Sequence, residues 1–202
     1  MIYICIVLKK HIKMKKIVVL VIAFSTVFIS CKEKKKVEVK EEVEVIKSAS
    51  GLDNVDLSTS VLNWKGSKPT GDHNGTVALK SGGLLIEEGV ITAGEFIIDM
   101  NTIVNLDMKG KEGAGKLEGH LKSADFFDIA EYPTAKFVIT KVEKNEDKLT
   151  VTGNLNIKDV TKSITIPATL SEVDGAYIFK SDNFNIDRAD FNVKYKSKKF
   201  FD

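Results

Sequence analysis

Residues 149–157 read L-T-V-T-G-N-L-N-I. Leu149, Val151, Leu155 and Ile157 fall on one side of an extended chain. Thr150, Thr152, Asn154 and Asn156 fall on the other. A period of two is the mark of a strand with one face in a core and one in water. Residues 163–170, S-I-T-I-P-A-T-L, repeat the pattern: Ile164, Ile166, Ala168 and Leu170 alternate with Ser163, Thr165, Pro167 and Thr169. The polar joint from Lys158 to Lys162 makes the pair a hairpin. Pro167 has no N–H, so it belongs at a bulge or where no ladder bond is needed.

The same period extends outward in both directions. Phe96, Ile98 and Met100 alternate with Glu95, Ile97 and Asp99, and Ala135, Phe137 and Ile139 with Lys136, Val138 and Thr140. Tyr177 and Phe179 alternate with Ala176, Ile178 and Lys180, and Val77 and Leu79 begin a strand that runs on towards Ile86. Further strands are expected at Leu57–Lys65 and Phe191–Lys196, which makes about eight. Turn residues punctuate them at Lys68–Gly71, Glu87–Gly89, Asn145–Asp147 and Asp174–Gly175. Half-apolar strands joined by short turns predict an all-β antiparallel barrel or sandwich. Only 101–132 leaves room for a helix. There Leu117, His120, Leu121 and Ala124 recur at helical spacing, so a short helix is expected over about 115–125, covering one end of a barrel.

The chain has 202 residues and a formal net charge of +2. Residues 1–30 carry five Lys and no acid, residues 31–50 six Lys and five Glu, and residues 51–202 nineteen basic against twenty-three acidic side chains. The body is therefore mildly acidic, which excludes a nucleic-acid partner, because phosphate binding needs a basic face. Cys5 and Cys31 are the two cysteines, and both precede the body, so the fold has no disulfide and no thiolate metal site.

The front of the chain reads as an address. Lys15 and Lys16 precede thirteen apolar or small residues, Ile17 to Ile29, and Ser30, Cys31 and a Lys-rich stretch follow. That run suits a signal-peptide core and is short for a spanning helix, which needs about 20 residues. Phe28-Ile29-Ser30-Cys31 resembles a bacterial lipobox, whose cysteine thiol receives a diacylglycerol before cleavage on its N-terminal side. The expectations are a signal peptide over 1–30, a lipidated Cys31 with a charged linker to residue 54, and a domain over 55–202. Translation is expected to begin at Met14, because residues 1–13 add a second apolar run ahead of the signal. Lys32 differs from the Asp that commonly retains lipoproteins at the inner membrane, so the expected site is the outer membrane, facing the periplasm. The linker, rich in Lys, Glu and Val, is expected to be solvated, with an added edge strand or short helix as the alternative.

Longer stretches of the body carry a family resemblance. H-L-K-S-A-D-F-F-D-I-A-E-Y-P-T-A-K-F at 120–137 resembles the signature region of the YceI-like family. D-H-N-G-T-V at 72–77, G-E-F-I-I-D-M-N-T-I at 94–103, V-T-G-N-L-N-I-K-D-V-T-K at 151–162 and F-N-I-D-R-A-D-F at 184–191 are similar to its other segments, in order. Asp159 stands where the family usually has Gly. The resemblance implies an extended, eight-stranded, lipocalin-like antiparallel barrel whose apolar pore holds a polyisoprenoid or similarly long lipid. It implies a secreted or periplasmic binding protein rather than an enzyme, with no cofactor. A homodimer is left open.

The candidate lining of such a pore is Val77, Leu79, Phe96, Ile98, Phe137, Ile139, Val151, Leu155, Ile164, Ile166 and Phe179, with Gly153 and Ala168 leaving room. By pattern alone, a core filled by its own side chains is equally open, since an eight-stranded barrel can just be filled. Such a filled barrel would serve as an interaction or stress-protective module. Among polar residues, Arg188 and His73 are candidate head-group contacts, because a guanidinium grips phosphate oxygens in pairs. For Arg188, beside Asp187 and Asp190, an ordinary ion pair is the alternative. His73 and His120 lack the spaced partners of a metal site, and no metal is expected. Trp64 is a core anchor or a pore-mouth contact. Phe126 and Phe127, between Asp125 and Asp128, are expected to pack the helix end onto the barrel. No nucleophile motif or phosphate loop appears.

Overall fold

The computed structural model describes residues 37–68 and 71–197, and the backbone of residues 2–8. In chain order the elements are β1 (Ile2–Leu8), β2 (Val39–Lys40), β3 (Val61–Lys68), β4 (Gly71–Glu87), β5 (Val90–Asn105), α1 (Ala114–Lys122), β6 (Thr134–Asn145), β7 (Lys148–Ile157), β8 (Val160–Val173) and β9 (Ala176–Ser181). Every pairing is antiparallel. Strands β3 to β9 form a meander in which each strand pairs with the next. β1 lies between the two ends of that meander, with Ile4 opposite Leu62 and Ile6 opposite Phe179. The wall thus closes through eight strands, the lipocalin-like barrel that the family resemblance implies.

Local chemistry sets the hairpins. Glu88 and Gly89 both have positive φ, 51° and 78°, and so do Asp174 and Gly175, 50° and 76°. Two central residues of that kind give the mirror-image turn whose twist matches antiparallel strands. Pro167 is placed as its missing N–H requires. Its carbonyl accepts from Asp182 N at 2.8 Å, one residue past the last β9 partner, Ser181. Its nitrogen lies past the last β9 register partner, where a missing donor is tolerated.

Three expectations change. Residues 57–60 form a turn rather than the start of a strand, because Asp56 draws them in: its Oδ1 accepts from Ser58 N and Oγ, and its carbonyl from Thr59 N and Ser60 N. Residues 191–196 are not a strand either. A 3-10 turn spans Arg188–Phe191, with Asp187 Oδ1 accepting from Ala189 N, and Asn192 turns the chain at φ 59°. Phe191 and Val193 alternate because both are fully buried under the end of the barrel, not because they lie in its wall. The eighth wall strand comes instead from Ile2–Leu8, which the sequence reading set ahead of a start at Met14.

The linker also does more than span. β2 covers the β8 edge at Ser163 and Ile164, beyond the stretch that β9 pairs. Val43 exchanges two hydrogen bonds with the Asn154 side chain, and Val37 and Ala49 are buried. The edge-strand alternative is thus realised over two residues. The apolar run Ile17–Ile29 and Cys31 lie outside the described residues.

Helix α1 falls where the 3.6-residue spacing places it, though it stops at Lys122. Ser123 ends it, with its N–H and Oγ both donating to the His120 carbonyl. Leu121 is buried, and Asn105 N, at the end of β5, donates to Glu118 Oε1 at 2.8 Å, fixing the helix across the barrel end. No helix among the described residues is long and apolar enough to cross a membrane.

Candidate functional site: an apolar cavity under the helix

The barrel interior has two halves. In one, large side chains fill the bore: Phe96 and Phe179 stack at 6.2 Å between ring centroids, and Val151 and Ile139 close around them. Phe137 marks the boundary. A Cβ at Gly153 would stand 2.5 Å from its ring, so the ring uses the space that a side chain at 153 would need. Gly153 does not widen the bore, as expected from its size, but admits a neighbour's ring.

The other half is open. A cavity of about 1210 Å³ runs from Phe137 to the helix end of the barrel. That exceeds the roughly 300–1,000 Å³ of ordinary small-molecule clefts. Of the expected lining, Val77, Ile98, Phe137, Leu155, Ile164 and Ile166 border it. Leu79, Phe96, Ile139, Val151 and Phe179 do not; they are buried in the filled half. Ala168 is buried away from it as well. Alternation identified inward positions on each strand, but not their height along the barrel.

Several lining residues were missed. Leu62 precedes Trp64 by two, and Met100 continues the Phe96–Ile98 face, so the period of two could have found both. Phe184 and Ile186 also stand two apart, with Asn185 between them, in a short segment that was not read as a strand.

The polar candidates gather around the helix end. Trp64 pairs with Gly75 in the β3–β4 ladder, and its indole lies over that glycine, where a Cβ would meet the ring at 2.8 Å and the Val104 carbonyl at 1.8 Å. The indole borders the cavity, and its Nε1 is buried without a hydrogen-bond partner. His73 also borders it. Its Nδ1 stands 3.0 Å from Asp107 Oδ2, and a carboxylate can only accept, so the Nδ1 proton faces Asp107. Asp107 further accepts from Asn74 N at 2.8 Å and from the Asn105 amide. These bonds hold its carboxyl well below the usual range, the backbone N–H of Asn74 contributing most.

His120, on α1, is wedged between Tyr195 at 4.4 Å and Phe126 at 5.7 Å, with Nε2 buried and unpartnered. Arg188 sits with its guanidinium 4.9 Å from the Phe126 ring and donates to the carbonyls of Val193 and Tyr195. Burial lowers its pKa, against the pull of Asp187. Arg188 therefore holds the closing segment and borders the cavity at once, where the sequence reading had offered an ion pair or a head-group contact. Phe126 and Phe127 meet edge to face at 5.0 Å and line the cavity beneath the helix end. Asp125 is exposed, and Asp128 turns the chain with φ 51°. Among the described residues no group of three or more His, Cys, Asp or Glu could hold a metal ion.

Comparison with known proteins follows the same outline. The family model of the YceI-like domain matches residues 54–202. Protein YceI of Escherichia coli is 41% identical over 80 residues, 37% of this chain and 42% of that protein. Protein YceI of Salmonella arizonae is 47% identical over 51 residues, 25% of this chain and 27% of that protein. The chain thus matches about two-fifths or less of the length of these curated relatives. The crystal structure of Burkholderia cenocepacia BcnA superimposes with a TM-score of 0.59 at 25% identity, covering 71% of this chain and 89% of that one.

Proposed function

The chain belongs to the family of YceI-like domains, and from that premise we propose that it binds a polyisoprenoid or similarly long lipid in the barrel. The supporting observation is the cavity of about 1210 Å³ inside the wall, bounded by Ile98, Phe137, Leu155 and Ile166. A barrel filled by its own side chains would leave no such space. Each apolar group moved from water to this lining gains about 25 cal/mol per Å² buried. A long hydrocarbon chain supplies many such groups, so affinity requires no reaction. The function is shielding and carriage rather than catalysis, and it calls for no cofactor.

The site of action we propose is the bacterial envelope. The basic start, the thirteen-residue apolar run and the Phe28–Cys31 sequence support export and lipidation of Cys31. Acyl chains would then hold the protein on the outer membrane, facing the periplasm, at about 0.8 kcal/mol per buried CH₂. Processing at that point removes residues 1–30, and β1 with them.

The test is direct. The purified protein is extracted with organic solvent, and the extract is read by mass spectrometry. Trp64, the single tryptophan, borders the cavity, so its emission reports added ligand. Co-purified lipid, or saturable uptake of a polyprenyl compound, is expected. A protein that carries no lipid and takes none up would overturn the proposal.

A further inference from the structure

We infer that the protein docks on an anionic lipid surface through one arc of the barrel rim, formed by the β3–β4 hairpin, the loop between β5 and α1, and residues 194–196. The inference takes the presence of a membrane from the envelope reading. It concerns the outside of the rim, whatever the cavity holds and whether or not Cys31 is acylated.

The three segments make one rim. Leu106 N donates to the Asn74 carbonyl at 2.8 Å, and the Asp107 carboxylate lies 3.0 Å from His73 Nδ1, so the loop is tied to the hairpin. Lys111 Nζ donates to the Asp107 carbonyl at 3.0 Å. Tyr195 packs on His120 of α1, the helix into which this loop leads. Lys65, Lys68, Tyr195 and Lys196 border the cavity opening together.

Residues 65–73, 106–116 and 194–196 carry seven lysines against three acids. Lys68, Lys109, Lys111, Lys116, Lys194 and Lys196 are exposed. Of the acids, Asp107 is held inward by Asn74 N and the Asn105 amide, Asp72 pairs with Lys65 at 2.6 Å, and Glu112 is exposed. Within the same arc Leu106 is 45% exposed and Tyr195 37%. An apolar side chain among lysines gains nothing in water. At a bilayer surface it enters the acyl boundary, while the lysine stems lie along it and keep their ammonium groups among the phosphates. A tyrosine suits the same depth, with an apolar ring and a polar tip.

The far end of the barrel has the opposite sign. Glu88, Glu146, Asp147 and Asp174 occupy the three hairpin turns there, while Lys47 and Lys148 are paired with Glu87 at 2.8 Å and Asp182 at 3.1 Å. Asp125, Asp128 and Glu131, which follow α1, lie outside the three basic segments. Charge separated along the barrel turns a molecule as it approaches a charged surface, here with the basic arc first. The arc adjoins the cavity opening, so a docked barrel receives or delivers an apolar chain with little of it passing through water.

The experiment measures amide hydrogen exchange of the purified full chain with vesicles of phosphatidylcholine alone or of phosphatidylcholine mixed with phosphatidylglycerol. The readout is local, so association through the apolar run Ile17–Ile29, common to every variant, does not imitate it. With the anionic vesicles, exchange over Leu106–Lys116 and Lys194–Ser197 is expected to slow about threefold or more, with the turns at Glu88, Glu146 and Asp174 unchanged. The effect should shrink as salt is raised. Lys109→Glu combined with Lys111→Glu, both at exposed sites, should return the exchange to its rate with neutral vesicles, and Leu106→Ser should weaken the effect. Lys144→Glu, near the far turns, should leave it intact. Equal slowing by neutral vesicles, slowing at both ends of the barrel, or slowing that survives the paired charge reversal would overturn the inference. So would the same slowing without vesicles as protein concentration is raised, which would assign the arc to the acidic end of a second copy. Lipid extraction from the same protein tests the cavity separately: docking by a chain that carries and takes up no lipid would overturn lipid binding alone, and lipid uptake without docking would overturn the inference alone.

Discussion

The ring of Phe137 lies against the bare backbone of Gly153 on the neighbouring strand, 2.5 Å from where a Cβ would stand. Phe137 and Leu155 are paired two positions along, so this contact divides the filled half of the barrel from the open half. Gly153→Ala would place a methyl group inside the ring and 2.6 Å from the Val138 carbonyl. Overpacking of this kind costs about 1–3 kcal/mol. The expected result is a lower urea midpoint with unchanged slope, and a reduced ligand capacity, because Phe137 yields toward the cavity.

Ile98 is buried and borders the cavity. Ile98→Trp can extend into that space instead of into packed atoms. Lipid uptake should fall at least tenfold while the thermal midpoint stays within a few degrees of wild type. Full uptake by the folded variant would mean that the ligand does not use this space.

Asp107 links β5 to β4 through His73 and Asn74, and its pKa is lowered by the Asn74 N–H first and the His73 bond next. A carboxyl lowered in the folded state contributes stability that is fully present above its unfolded value, about 3.9, and is lost as pH falls below that value towards the folded one. Asp107→Asn should therefore be less stable than wild type at pH 7. The gap should close as the pH is taken below about 4. Denaturation midpoints of both proteins across pH 7 to 3 give the comparison, and a gap independent of pH would remove the carboxylate from the account.

Cys31 and β1 make linked predictions. Cys31→Ser should stop lipidation and release the protein from membrane fractions; unchanged retention would count against the anchor. A chain processed before Cys31 lacks the strand that joins β3 to β9. Amide exchange at Val61–Trp64 and Tyr177–Lys180 should therefore be faster in a chain starting at residue 31 than in the full chain. Equal protection would show that β1 does not hold those edges.

The hairpins and the inward faces were legible in the sequence. Leu149 to Ile157 and Ser163 to Leu170 read as strands because side-chain alternation is a local property of extended backbone. Glu88–Gly89 and Asp174–Gly175 read as turns because positive φ is a local demand. Phe191 and Val193 alternated just as clearly and formed no strand. Their spacing reports burial, and burial under a barrel end looks like burial in its wall. Likewise, Arg188 beside two aspartates read as a head-group contact or an ion pair, while its donors reach forward to the carbonyls of Val193 and Tyr195.

The sequence by itself determined an antiparallel wall of alternating strands, with one short helix in its longest interval and an acidic body behind a basic N-terminal stretch. The tertiary structure decided the rest. It placed Ile2–Leu8 between β3 and β9, laid Phe137 over Gly153, and set Trp64, His120 and Arg188 around one cavity mouth. Periodicity tells which way a side chain points from its own strand. It does not tell how high along the barrel that side chain sits, or which ring from the next strand takes the space of a missing one. Those depend on register between distant segments and on the summed volume of what they bring together, and whether a bore is filled or open is the remainder of that sum.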